Sequence, residues 1–482
     1  MSILLTLQNR AAESGVTFGT SGARGLVSAL TDAVCQAYTT AFLNAVVPQA
    51  PKIVLGCDLR PSSPDIARAC ATAIHAAGRE VVFAGALPTP ALAFYSLQQG
   101  LPAVMVTGSH IPFDRNGIKF YRADGEISKA DEAAMMAATV PAETWPASGD
   151  LVSDAAVLGM YLARYRAFFP AGFLAGRRIG VYEHSSVARD ALGELLRGFG
   201  ATVVSLGRTD AFVPVDTEAI SEADRVQGLV WAAQHGLDAI LSTDGDADRP
   251  LIADERGQWL RGDIVGLLCA RYLGARVVAA PVSCNTAIEG CGAFAQVLRT
   301  RIGSPYVIAA MESALASGAN RVVGFEANGG FLLGDVVERN HRRLAALPTR
   351  DAALPMLALL AMAVERDVPV SALRVDLPAR FTASDRVQNF AVDRSQALLA
   401  RLRGARAAIA DLVGDLCGAV ASEDLTDGLR LSFENGEIVH LRPSGNAPEL
   451  RCYAEANSEA RAGELVRQVL ARVAADGQGV SP

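Results

Sequence analysis

Residues 52–85, KIVLGCDLRPSSPDIARACATAIHAAGREVVFAG, change period three times. KIVLGC is a short apolar run of the kind that forms a buried strand, and DLRPSSP is a polar turn. DIARACATAIHAA then carries its apolar residues at helical spacing, and EVVFAG returns to a strand pattern. The same order recurs in residues 177–207, RRIGVYEHSSVARDALGELLRGFGATVVSLG, and in residues 276–303, RVVAAPVSCNTAIEGCGAFAQVLRTRIG. Such β-α-β units favour largely parallel sheets with helices packed on their faces. Three copies in a row predict three related α/β domains in tandem.

Each copy leads to a further apolar strand that ends in a polar loop. PAVMV (102–106) runs into TGSH, LDAIL (237–241) into STDGDADR, and RVVGF (321–325) into EANGG. Ligands of open α/β sheets sit beyond the carboxyl ends of strands, so chemistry is expected in these loops.

After about residue 370 the pattern changes. LRVDLPARF, DGLRLSF, EIVHLR and ELRCYAEA alternate as half-buried strands, and Asn435-Gly436 marks a tight hairpin. Helices at about 394–404 and 457–473 flank them, which predicts a separate C-terminal α+β domain. The breaks PASGD, DERGQ and RDVPV divide the chain into 1–148, 149–257, 258–368 and 369–482.

Composition agrees with a multi-domain globular protein. A chain of 482 residues is too long for one core, since domains run to roughly 100 to 200 residues. Half its residues are hydrophobic, 20% are charged and the net charge is -7, which gives no general affinity for nucleic acid or an anionic membrane. The eight cysteines form no CxxC pair and sit mostly in apolar runs, as in a reducing compartment. MSILLTLQNR lacks a basic start and a long apolar run, and the apolar stretch 352–364 contains Pro355 and is too short to span a bilayer. A soluble, cytoplasmic protein is expected.

DGDADR (244–249) places Asp244, Asp246 and Asp248 at alternate positions after an apolar strand, so one loop can turn three carboxylates onto a single hard cation. A solvated acidic loop has the same composition, but three acids this close repel without a cation. Glu255 falls at the twelfth position from Asp244, as in an EF-hand calcium loop; Arg249 at the sharp-turn position and strands on both flanks exclude that motif. Three carboxylates leave octahedral positions open, which suits Mg²⁺ shared with a phosphate oxygen.

TGSHIPFDRNGIKFY (107–121) presents Ser109 after Gly108, with His110 and Lys119 close in sequence. Lysine occurs only at positions 52, 119 and 129 among 44 basic residues, and an ammonium, unlike a guanidinium, can give up a proton as a general acid or base. A turn that merely redirects the chain fits the same residues. A Ser-His-Asp hydrolase does not, because no GxSxG elbow surrounds Ser109. RPSGNAPELR (442–451) offers Arg442, Ser444, the Gly445 amide, Asn446 and Arg451, a donor set that matches a phosphate dianion. In GFEANGG (324–330), Glu326 and Asn328 can bond vicinal hydroxyls, and in FGTSGARG (18–25), Arg24 can steer an anion.

In this order the elements FGTSGARG, TGSHIPFDRNGIKFY, DGDADR, GFEANGG and RPSGNAPELR resemble the α-D-phosphohexomutase family over essentially the whole chain. The resemblance implies four domains around a central cleft, three α/β and one like the TATA-binding-protein fold. It implies that Ser109 is phosphorylated in the resting enzyme, that Asp244, Asp246 and Asp248 hold one Mg²⁺ against that phosphate, and that His110 and Lys119 assist proton transfer near Arg24 and Arg249. Glu326 and Asn328 would meet sugar hydroxyls, while Arg442, Ser444, Gly445, Asn446 and Arg451 would grip the non-reacting phosphate.

The implied reaction interconverts hexose 1-phosphate and hexose 6-phosphate through a 1,6-bisphosphate, which also serves as activator. A mannose or glucose phosphate is the expected substrate, with a phosphoglucosamine mutase or a metal-dependent serine phosphatase as alternatives. A monomer or homodimer is expected. Four positions depart from the commoner pattern: TGSHIP stands where TASHNP is usual, with Gly108 for Ala and Ile111 for Asn, Asn328 stands where many members carry Ser, and Asn446 where Thr is frequent.

Overall fold

The computed structural model describes residues 4–19, 21–146, 149–444 and 448–476. In the first domain, strand Lys52–Cys57 lies between Glu80–Ala86 and Ala103–Val106, parallel to both, and Ala103–Val106 pairs antiparallel with Arg115–Arg122. Strands Ala23–Leu26 and Thr17–Phe18 extend this sheet beyond Arg115–Arg122.

The four-strand unit is repeated twice. In the second domain Arg178–Tyr182 lies between Thr202–Leu206 and Ala239–Thr243, and the latter turns back antiparallel as Pro250–Ala253. In the third, Val277–Pro281 lies between Gln296–Thr300 and Val322–Phe325, which turns back as Phe331–Leu333 and is widened by Leu347–Asp351. The three loops singled out from the sequence therefore occupy one topological position, the hairpin after the third strand.

One apolar core joins the three sheets. It runs from Val54, Leu92 and Met105 through Tyr165 and Val181 to Val278 and Phe325. The apolar stretch at 352–364 is the centre of helix Ala353–Arg366, buried at every position from Ala353 to Ala363 because its neighbours surround it. Among the described residues no helix is long and apolar enough to cross a membrane. The third copy's helix is only Ala287–Gly290, cut short where Gly292 takes a left-handed φ of 63°.

The fourth domain is a five-stranded antiparallel sheet in the order Phe381–Gln388, Glu449–Ala456, Ile438–Pro443, Leu429–Phe433, Val420–Asp424. Helices Val392–Leu402 and Glu459–Asp476 pack their buried leucines and valines against it. Gly436, at φ 82°, makes the hairpin read from Asn435-Gly436.

The strand expected in LRVDLPARF is a correction. Val370–Arg374 is a 3₁₀ turn that buries Leu373 against the third domain, Val375 is exposed, and the strand begins only at Phe381. The apolar residues Leu373, Val375 and Leu377 alternate in sequence but not in burial, because a turn buries only Leu373, and Pro378, which lacks an N–H, delays the ladder.

The fourth domain docks on the third through polar contacts. Glu455 takes hydrogen bonds from Arg380 Nε at 2.5 Å and from the backbone and hydroxyl of Thr286, while Asn285 Nδ2 donates to the Arg380 carbonyl at 2.8 Å.

Candidate active site

The hairpin position puts the serine and aspartate loops in contact. Thr107, at the end of its strand, donates to Asp58 Oδ2 at 2.7 Å and accepts from the Ser109 N–H at 2.8 Å. Ser109 is held at φ 54°, in the sparsely populated left-handed region, with its side chain fully buried. Its Oγ donates to Asp244 Oδ2 at 2.6 Å.

Ala247, at φ 60°, turns the aspartate loop so that Asp244, Asp246 and Asp248 face inward, with one ligand atom from each within 4.8 Å of the others. Each flanking acid is held by one oxygen. Asp246 Oδ2 accepts from Lys119 Nζ at 2.6 Å and Thr89 Oγ1 at 2.7 Å; Asp248 Oδ2 accepts from Lys119 at 2.9 Å and Arg350 Nε at 3.0 Å. The opposite oxygens, Asp246 Oδ1 and Asp248 Oδ1, are buried without a hydrogen bond. Three buried carboxylates drawn together, two of them with an unsatisfied oxygen, fit a hard divalent cation.

The electrostatics agree. Burial, with repulsion from Asp246 and Asp248, pushes the Asp244 carboxyl well up. Burial alone would lower the Lys119 ammonium, but Asp246 and Asp248 outweigh it and raise the group, so Lys119 is a held proton donor. Burial, then Arg249 and Arg24, drives His110 well down and keeps the imidazole neutral. Arg249 Nη1 lies 2.7 Å from His110 Nδ1, which itself lies 3.4 Å from Ser109 Oγ.

Arg24 pairs with Gly117 on the neighbouring strand. Burial and the charges of Arg249 and Arg350 lower its guanidinium to about 10. A cation crowded by two others in a buried setting is a place prepared for an anion.

Arg350 was not singled out by the sequence reading. From the end of strand Leu347–Asp351 it joins two loops, with Nη2 2.8 Å from Asp248 Oδ2 and Nη1 3.2 Å from Glu326 Oε2. Thr89 and Asp58 were missed as well; the usable signal for all three was a polar residue at the end of a buried strand or at the start of the helix that follows. Glu255 takes hydrogen bonds from Ser371 and plays no part in the aspartate cluster.

Glu326 is thus tied to the aspartate loop through Arg350. Asn328 Oδ1 accepts from the Gly330 N–H at 2.9 Å, and its carbonyl accepts from Thr217 Oγ1 at 2.8 Å. The side-chain acceptor expected to read a sugar hydroxyl is thereby engaged by its own loop, and Nδ2 remains as donor. Gly262 permits this packing, since a Cβ there would lie 2.3 Å from the Gly329 nitrogen.

In the fourth domain, Arg442 Nε binds Asp427 Oδ2 at 2.9 Å, and the same oxygen accepts from the Ile302 N–H at 2.9 Å. Ser444 is buried, with its N–H donated to the Glu449 carbonyl at 2.9 Å. Gly445 and Asn446 lie outside the described residues. Arg451 faces a second group: burial, then Asp216, raises the Glu218 carboxyl, and Arg451, Arg261 and Arg249 oppose that rise.

Comparison with known proteins places this geometry. Models of phosphoglucomutase/phosphomannomutase α/β/α domains I, II and III match residues 15–144, 171–257 and 261–381, and the C-terminal domain model matches 388–472. A phosphomannomutase of Salmonella muenchen is 50% identical over 96% of both chains, and one of Sinorhizobium fredii is 48% identical over 95% of this chain and 98% of its own. A phosphoglucosamine mutase of Parafrankia is 29% identical over 95% of this chain and 97% of its own.

Among solved structures, a phosphomannomutase fold from Thermus thermophilus superposes with a TM-score of 0.75 at 22% identity, covering 96% of this chain and 99% of that one. The Aspergillus fumigatus N-acetylphosphoglucosamine mutase, solved with GlcNAc-6P and magnesium, gives 0.51 at 14%, covering 97% and 99%. With the four domain models matched in chain order and half its residues shared with a full-length relative, the chain belongs to the phosphoglucomutase/phosphomannomutase family.

Proposed function

We propose that this chain interconverts mannose 1-phosphate and mannose 6-phosphate, with glucose phosphates as a second substrate, by way of a phosphoserine at Ser109 and a hexose 1,6-bisphosphate. The observation that carries the reading is the 2.6 Å bond from Ser109 Oγ to Asp244 inside a buried group of three carboxylates, beside Arg24, a guanidinium that burial and two like charges depress. Two relatives of near 50% identity, both phosphomannomutases, favour mannose over glucosamine.

Asp244, Asp246 and Asp248 would hold one Mg²⁺, which neutralises charge on the transferring phosphoryl group when bound. Ser109 phosphate loses its P–Oγ bond as the free hydroxyl of the hexose phosphate forms a new O–P bond. Lys119 supplies a proton to the departing Oγ, and neutral His110 accepts one once phosphate draws Arg249 away from its Nδ1. Arg24 and Arg249 bind the reacting phosphate. Glu326 and Asn328 face the sugar hydroxyls, and Arg442, Ser444, Gly445, Asn446 and Arg451 hold the phosphate that does not react. The bisphosphate then reverses in the site and returns its other phosphate to Ser109, so the bisphosphate also recharges a dephosphorylated enzyme.

These roles divide over four units, 1–148, 149–257, 258–368 and 369–482. The eight cysteines are all unbridged and fit a cytoplasmic setting. A side-by-side assay with mannose, glucose and glucosamine 1-phosphates, primed with bisphosphate and Mg²⁺, tests the reading. Mannose 6-phosphate formed with little free phosphate is the expected result. Turnover of glucosamine phosphate alone would reverse the substrate, and stoichiometric release of phosphate would make the protein a phosphatase.

A further inference from the structure

Arg60 is 1% exposed and stands behind the serine loop. It follows strand Lys52–Cys57, where Asp58 Oδ1 accepts its backbone N–H at 3.0 Å and Asp58 Oδ2 lies 3.4 Å from its Nε. The guanidinium donates to four main-chain carbonyls of one loop. Nη2 reaches Ser109 at 2.9 Å and Ile111 at 2.6 Å; Nη1 reaches Pro112 at 2.8 Å and Arg115 at 2.9 Å. One planar group therefore fixes the peptide of Ser109 and the return of the chain after it. The left-handed conformation of Ser109 is disfavoured in isolation and persists only where its surroundings over-determine it, as these bonds do.

Two residues bound the guanidinium. A Cβ on Gly108 would lie 2.6 Å from Arg60 Cζ and 2.7 Å from Nε, so glycine at 108 is what admits the side chain. Elsewhere the ring of Phe212 covers it, with Cζ 3.9 Å from the ring centroid. Phe212 belongs to the second domain, in the loop after strand Thr202–Leu206, where Ser185 Oγ accepts the neighbouring Val213 N–H at 2.8 Å. The same ring lies 3.2 Å from where a Cβ on Gly245 would stand, between Asp244 and Asp246. Phe212 thus touches both the group that shapes the serine turn and the loop that carries the acids.

We propose that Arg60 is a positioning residue for phosphoryl transfer, and that Phe212 makes its hold on Ser109 depend on the second domain being docked. The proposal rests on the mutase reading. Its consequence is a nucleophile whose geometry is complete only when the acids have arrived beside it. Undocking would release Ser109 from attacking geometry at the moment the acids leave it.

The test is steady-state mutase kinetics with free phosphate measured per turnover, on Arg60→Ala, Gly108→Ala, their double variant and Phe212→Leu, each with a thermal melt. Gly108→Ala is expected to lower kcat about a hundredfold, the cost of a small misplacement at the reacting atom, with little change in KM. In the Arg60→Ala background the same substitution should cost almost nothing, because the group it collides with is gone. Phe212→Leu should melt like wild type, lose about tenfold in kcat and release more phosphate per turnover.

Losses at 60 and 108 that multiply independently would overturn the proposal, as would a folded Phe212→Leu enzyme with wild-type kcat and phosphate release. Lowered melting temperatures with unchanged kcat per folded molecule would reduce Arg60 to a structural role. Wild-type protein with no mutase turnover would remove the functional reading and this one together, whereas active variants of an active wild type remove only this one.

Discussion

Ser109 Oγ and Asp244 Oδ2 lie 2.6 Å apart although 135 residues separate them in the chain. The contact arises because each belongs to the hairpin after the third strand of its own sheet, and the two sheets share one core. Tandem copies of one supersecondary unit thus supply different chemistry at the same topological position: a hydroxyl in the first, carboxylates in the second, and the carboxylate of Glu326 with the amide of Asn328 in the third.

Ser109→Ala removes the proposed acceptor and a single buried oxygen. Mutase turnover should fall by about four orders of magnitude or more. The melting temperature should move little, since the lost bond runs to a carboxyl that burial already pushes toward its neutral form. Peptide mass spectrometry should find phosphate on the peptide containing Ser109 in wild type and none in the variant. A variant that keeps most of its rate would remove the phosphoserine mechanism.

Arg350→Met keeps the length of the side chain but leaves Asp248 and Glu326 facing each other without their shared cation. Breaking a buried ion pair on one side costs about 3–5 kcal/mol; Lys119 and Arg249 remain near Asp248, so a loss near the low end, about 3 kcal/mol, is expected. Denaturant titration measures it. Added Mg²⁺ should recover part of the loss, because a bound cation replaces charge that Arg350 supplied to Asp248.

Much of this site was legible in the chain because its loops are local in sequence. Three acids in six residues, or a serine with histidine beside it after a buried strand, carry their chemistry within a few positions. For Arg350, Arg60 and Thr89 the chain offers only a polar residue near a strand end or at a helix start, since each acts on a loop far from itself and nothing nearby marks the destination. Asn328 shows the same limit from the other side: its amide is visible in the sequence, but the engagement of its oxygen by Gly330 depends on the turn. In LRVDLPARF, Leu373, Val375 and Leu377 have the two-residue period of a strand, but a 3₁₀ turn buries Leu373 and leaves Val375 exposed.

Asp427 ties the Arg442 guanidinium to the Ile302 backbone across the boundary of the third and fourth domains. In Asp427→Asn the amide oxygen can still accept from one of these donors, but the charge-assisted bond to Arg442 is lost. Such bonds contribute about 1.5–3 kcal/mol, so KM for the sugar phosphate should rise about tenfold while kcat changes little. A variant with unchanged KM would show that Arg442 needs no anchor to hold phosphate.

His184 and His440 give the protein a defined acid sensitivity. Burial lowers each imidazole from its usual 6.5 to about 4, against a weaker raising effect from the carbonyls of Thr243 and Asp427 that face them. In the unfolded chain both titrate near 6.5, so between pH 6.5 and 4 the unfolded state binds more protons and unfolding is favoured as pH falls. Their stabilisation is complete above pH 6.5, declines through that window and changes no further below about 4, with about 3 kcal/mol at stake for each. Buried carboxyls with raised values, such as Asp263 and Asp351, act in the opposite direction, so the wild-type curve mixes the two. His440→Phe isolates one histidine: the ring keeps its place against Tyr453, 5.3 Å away between centroids, and cannot take a proton. Denaturant midpoints measured from pH 7.5 to 4.5 should fall less steeply in the variant than in wild type, and parallel curves would mean that His440 is protonated as readily folded as unfolded.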